Sequence, residues 1–125
     1  MKYEYSDDER AKFYKSHRER SAIVYKKKHR AQYDRQFASI THSSNSMSVL
    51  EVGCGTGIFL RYLEANNYRE IVGIDSDENL VDALADLKRS EIFFGDVTAV
   101  LKNELEGRKF DRIVMLDVAE HLQLP

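Results

Sequence analysis

Val49-Leu50-Glu51-Val52-Gly53-Cys54-Gly55-Thr56-Gly57 reads as the end of a strand running into a glycine turn. Ser48 to Val52 is the strand, and Gly53 ends it. Ile58-Phe59-Leu60 and Tyr62-Leu63 then fall on one helical face, which closes near Asn66-Asn67. Glycines in such a loop permit positive φ and let a ligand come close to the backbone. A strand, a glycine loop and a helix in that order place a binding site at the carboxyl edge of a sheet.

The alternation continues beyond the loop. Glu70 to Asp75 reads as a second strand, and Leu80, Val81, Leu84 and Leu87 carry the 3.6-residue rhythm of a second helix. Ile92-Phe93-Phe94 is a short third strand, 97–105 a weak helix, and 110–116 a fourth strand, apolar except for Asp111 and Arg112. Strict alternation of strand and helix predicts an α/β fold with right-handed crossovers and a parallel sheet covered on both faces.

A dinucleotide is the usual occupant of a glycine loop, held by its pyrophosphate at the helix N-terminus. Two features stand against it here. The spacing is G-x-G-x-G, whereas the dinucleotide fingerprint sets its last glycine one residue later, where this chain has Ile58. Glu51, two residues before the first glycine, brings a negative charge that repels phosphate and suits a cation. The bland alternative is a turn in which Glu51 caps or pairs elsewhere.

The segment from Val49 to Gly57 resembles the first motif of class I S-adenosylmethionine-dependent methyltransferases. The resemblance implies a Rossmann-like sheet with strand order 3-2-1-4 over its first four strands, flanking helices and S-adenosylmethionine as cofactor. It also implies methyl transfer to an acceptor that the sequence does not identify. Ammonium and sulfonium groups on that cofactor make an acid-lined site physically reasonable. In this reading Glu51 faces the ammonium through the loop, Gly53, Gly55 and Gly57 admit the cofactor, and Cys54 touches it through its backbone.

Three more acids sit at strand ends. Asp75 closes the second strand, where a carboxylate can accept hydrogen bonds from vicinal ribose hydroxyls. NAD sites use the same device, so Asp75 alone does not separate the two cofactors. The resemblance gives it the ribose and sets Ser76 beside the adenine; Asp77 is read as a helix cap. Asp96 follows the third strand, and the resemblance has it accept from the adenine amino group while the Val97 N–H reaches the ring; alternatively Asp96 caps the next helix.

The fourth strand runs into Asp117-Val118-Ala119-Glu120-His121. This resembles the family's fourth motif, beside the methionine part of the cofactor and the acceptor. If 118–122 starts a helix, Asp117, Glu120 and His121 converge at i, i+3 and i+4. Three readings stand side by side: a solvated helix start, a general base or acceptor-orienting His121, or a divalent-cation set of all three resembling that of some family members. The last departs from the family's pattern in having Asp117 in place of Glu.

The 125 residues carry a net charge of −2 that conceals a division. Residues 1–40 hold 11 Lys/Arg against 6 Asp/Glu, a balance of +5, and residues 41–125 hold 8 against 15, a balance of −7. We divide the chain into a helical arm (1–40), a polar linker (41–47) and an α/β domain (48–125). In the arm, Ser6 and Glu9 form a candidate capping box, Tyr33, Phe37 and Ile40 share a face, and Phe13 and Tyr14 begin another. The run Lys26-Lys27-Lys28-His29-Arg30 between Tyr25 and Tyr33 allows a nucleic-acid reading, but acids are interspersed and a solvated helix face is favoured. A non-enzymatic cofactor-binding module that docks on RNA or a protein through this arm is the alternative function; an NAD-dependent oxidoreductase is a third.

One cysteine excludes an intrachain disulfide framework and fits a reducing, cytoplasmic setting. The longest aliphatic run, residues 113–116, is far below the ~20 residues that span a bilayer. No charged-then-apolar leader opens the chain, which predicts neither export nor membrane insertion. The resembled fold has seven strands, so the chain is expected to be a shortened piece ending after the fourth. That leaves a bare apolar edge through which copies are expected to associate.

Overall fold

The computed structural model describes residues 24–116. Four strands make one parallel sheet: β1 (Ser48–Val52), β2 (Glu70–Asp75), β3 (Ser90–Phe94) and β4 (Arg112–Met115), ordered β3-β2-β1-β4. That is the order expected. In register, Glu51 lies between Gly73 of β2 and Val114 of β4. Helix α1 (Lys27–Tyr33) precedes the sheet, α2 (Ile58–Ala65) joins β1 to β2, and α3 (Val97–Asn103) joins β3 to β4.

The two-residue period of the strands sorts the core into halves. Val49 and Ile71 face α1 and α2, together with Phe59, Leu60, Tyr62, Leu63 and Tyr68. Leu50, Val52, Val72 and Ile74 face the other way, against Val100 and Leu105. Burying each of these large side chains is worth roughly 1.5–3 kcal/mol relative to exposure. Both faces of β1 and β2 are covered, and this explains their nearly unbroken apolar sequences.

The segment before the sheet is docked by aromatic rings. Phe59 of α2 makes T-shaped contacts with Tyr33 and Phe37 at centroid distances of 5.0 and 5.1 Å. The Tyr62 hydroxyl donates to Asp34 at 2.7 Å, and that of Tyr68 to Ser43 at 2.9 Å. The face expected from Tyr33, Phe37 and Ile40 holds for the first two only. After α1 the backbone widens into a π turn over Asp34–Ser39, closed by the Ser43 N–H on the Ala38 carbonyl, and Ile40 is 70% exposed. The extra residue per turn rotates Ile40 away from the sheet.

The helix expected over 80–87 is also replaced. A 3₁₀ turn, Glu78–Leu80, is followed by linked turns with mixed i→i−3 and i→i−4 bonds. Leu80 and Leu84 are buried and Leu87 half-buried, whereas Val81 is exposed. Arg61 fixes this path from outside, bonding the Ala83 carbonyl at 2.9 Å and both oxygens of Asp86 at 2.7 and 3.0 Å. The Ala83 carbonyl is satisfied by that guanidinium, while the Leu87 N–H goes to the Leu84 carbonyl instead.

At the rim opposite the glycine loop, charged clasps set the strand starts. Arg108 bridges Glu70 and Glu91 at 3.0 and 3.2 Å, with its guanidinium over the Phe110 ring. Asp111 accepts from the N–H and hydroxyl of Ser48 at 2.9 and 3.2 Å, joining the entries of β1 and β4. Glu64, in the last turn of α2, gathers the N–H groups of Lys88, Arg89 and Ser90 and the Ser90 hydroxyl. Among the described residues, no helix is long and apolar enough to cross a membrane. The candidate N-cap Ser6, and Glu9, Phe13 and Tyr14, lie outside those residues.

Candidate functional site

The loop after β1 is built against β2. The Ile74 carbonyl accepts from both Gly53 N–H (2.7 Å) and Cys54 N–H (3.1 Å). Gly57 N–H returns to the Cys54 carbonyl at 3.0 Å, and Gly55 N–H donates to Asp75 Oδ2 at 2.9 Å. Gly57 has φ of +83° as the residue before α2, a conformation that L side chains resist. Four loop N–H groups are thus engaged inside the protein. A pyrophosphate cradle needs donors pointing outward, and these four are turned inward.

Beneath the loop lies Glu51. Its residue is 3% exposed, and Oε1 has no hydrogen-bond partner among the described residues. Burial first, and the nearby Asp75 carboxylate second, push its proton affinity well above the ordinary glutamate value of 4.5. No Lys or Arg pairs with it among the described residues. A carboxyl left so is costly unless something brings a donor or a positive charge.

Asp75 stands where β2 ends, half-buried. Its two oxygens take Gly55 N–H and Asp77 N–H, each at 2.9 Å. These bonds fix the orientation of the carboxylate at the strand end. Its own carbonyl accepts from Gly95 N–H at 2.9 Å, which ties the ends of β2 and β3. Asp77 caps the 3₁₀ turn as expected, accepting from Asn79 N–H at 3.1 Å. Ser76 is exposed beside it.

Asp96 is exposed and caps α3, its Oδ2 accepting from Ala99 N–H at 3.1 Å. Its helix-cap role is therefore realised, with the carboxylate still at the sheet's carboxyl edge. Val97 opens α3 and packs its side chain into the second half of the core. Cys54 is buried, and burial with the nearby acids Glu51 and Asp75 pushes its thiol far up, away from thiolate chemistry. The loop, Glu51, Asp75, Ser76 and Asp96 thus collect along one edge. Asp117, Glu120 and His121 lie outside the described residues; among those described, no group of three metal-ligating side chains occurs.

Gly73 is the residue that sequence reading missed. A Cβ there would stand 3.0 Å from Leu60 Cδ1, 3.1 Å from Cys54 Sγ and 3.2 Å from Ile92 Cδ1. Its absence lets the loop's cysteine settle on β2. A glycine inside a strand run is itself the signal of such close approach. The basic run Lys26 to Arg30 is largely exposed at the start of α1, with Lys26 N–H closing onto His29 Nδ1 at 2.9 Å.

The model of one known family, described as a methyltransferase domain, matches residues 14–125. The chain belongs to that family. Among solved structures, the chain is similar to a TehB-like SAM-dependent methyltransferase from Corynebacterium glutamicum, with a TM-score of 0.53 at 21% identity. That likeness is one of fold. It covers 87% of this chain and 53% of the other, so this chain spans about half the length of its structural relative. No curated protein sequence matches it.

Proposed function

We propose that this methyltransferase domain binds S-adenosylmethionine at the glycine loop and holds it for transfer of its methyl group to an O, N or C nucleophile. The observation that carries the reading is Glu51, a fully buried acid with an unpartnered oxygen at the place where a phosphate-binding loop would need donors. Its chemistry fits a ligand ammonium. Asp75, oriented by two backbone N–H groups, fits the ribose hydroxyls, and Asp96, an acceptor when ionised, fits the adenine amino group with Ser76 and Val97 alongside. Asp117 and His121 are assigned the methionine side and the acceptor from the motif alone.

When bound, S-adenosylmethionine supplies the electrophilic methyl carbon. The chain's own part is to align the two reactants and exclude water. The acceptor is left as a small or macromolecular nucleophile. We place the protein in the cytoplasm, on its single buried thiol, and we assign no membrane or nucleic-acid role. Self-association through β4 is supported by Ile113 and Met115, 63% and 51% exposed at the sheet edge; sedimentation over a concentration series checks it.

Calorimetry with S-adenosylhomocysteine and with NAD tests the central reading. Binding of the first and not the second is expected. Asp75→Ala should weaken S-adenosylhomocysteine by about 1–3 kcal/mol. Tight NAD binding, or unchanged affinity in the variant, would overturn the assignment.

A further inference from the structure

Among the described residues, Glu51 is an acid without a counter-charge. It sits in the middle of the sheet, between Gly73 and Val114, neither of which offers a polar side chain. The groups bearing on it are an acid, Asp75, from the end of β2 and the thiol of Cys54 in the loop above. Helices α1 and α2 cover the same face of the sheet with aromatic rings, and the phenols there are Tyr25, Tyr33, Tyr62 and Tyr68. No described group on any of these elements brings a positive charge to Glu51.

We propose that Glu51 carries a proton in the ligand-free protein and gives it up to solvent when a ligand's ammonium group comes alongside, so that uptake is an exchange of a proton for a cation. The inference rests on the S-adenosylmethionine reading above and adds to it a rule of selection. An isolated buried carboxylate is neutralised sooner than it is tolerated. An arriving ammonium reverses that balance, because opposite charge favours the ionised form. A ligand of the same shape without the ammonium leaves the proton in place. Asp75 strengthens the effect: it disfavours a second negative charge until a positive one is present.

The test is calorimetry of the whole chain with S-adenosylhomocysteine in two buffers of equal pH and different ionisation enthalpy. The difference between buffers counts protons released. Wild type should release up to about one proton more than Glu51→Gln, and its affinity should rise by as much as about tenfold per pH unit where Glu51 is protonated in the free protein. 5′-Methylthioadenosine, which lacks the ammonium, should release none. Equal proton counts for wild type and variant, with ligand bound in both, overturn this inference and leave the cofactor assignment standing. No binding by wild type overturns both. Should Glu51→Gln not fold, wild type alone decides: the infrared band of a protonated carboxyl must be present without S-adenosylhomocysteine and vanish with it, and its absence from the free protein refutes the exchange.

Discussion

Replacing Gly73 by alanine adds one methyl group at the point where sheet, loop and helix meet. The new carbon would stand 3.0–3.2 Å from Leu60, Cys54 and Ile92, so all three must give way by a few tenths of an ångström. Inserting a methyl into a close-packed site costs about 1–3 kcal/mol. Gly73 does not have positive φ, so alanine also stiffens the unfolded chain and returns about 0.4–1 kcal/mol. At the midpoints of those ranges the net loss is about 1.3 kcal/mol. Urea unfolding should show a lower midpoint with an unchanged slope, the mark of altered stability at constant exposed surface. Because Cys54 belongs to the glycine loop, S-adenosylhomocysteine should bind more weakly too. Adding Cys54→Ala vacates the sulfur's place and should restore part of both losses, with a coupling of about 0.5 kcal/mol or more. A Gly73→Ala protein as stable as wild type, or a pair of substitutions that merely add, would refute the view that the loop is seated by this missing side chain.

Two further perturbations address the frame around the site. Tyr62→Phe removes the donor to Asp34 at 2.7 Å, which helps hold the segment before the sheet on α2; a loss of about 1 kcal/mol in urea unfolding is expected, and an unchanged midpoint would contradict it. Glu64 responds to acid: desolvation pushes its carboxyl up, but the Ser90 hydroxyl and three backbone N–H groups outweigh it, leaving it below the ordinary 4.5. An acid depressed in the folded state gives stability that is present above the ordinary range and lost as pH falls through its native value. Glu64→Gln should flatten that acid slope, and equal slopes for both proteins would remove Glu64 as its cause.

Much of this architecture is written locally. The valine, leucine and isoleucine runs of β1 and β2 are apolar on both faces because both faces are covered, and a pattern without alternation signals that directly. The glycine loop and Asp77 were legible because turns and caps depend on a few neighbouring residues. The stretch 80–87 was not. Its leucines keep helical spacing, but what shapes the backbone is Arg61, about twenty residues earlier, and periodicity carries no trace of a distant guanidinium. Ile40 was misplaced for a related reason: one extra residue in a turn shifts every later side chain, while the sequence looks the same. At the site, residue types announced the acids, but the engagement of the loop's N–H groups and the isolation of Glu51 became visible only with the chain folded. Gly73 was the one missed position with a readable sign.

The self-bonded loop has a further consequence. Its shape is maintained by Ile74, Cys54 and Asp75 of the protein itself, so a visiting molecule finds a socket already cast and little backbone left to immobilise. Damage to these contacts should therefore register first as a weaker fold, and only afterwards as poorer recognition.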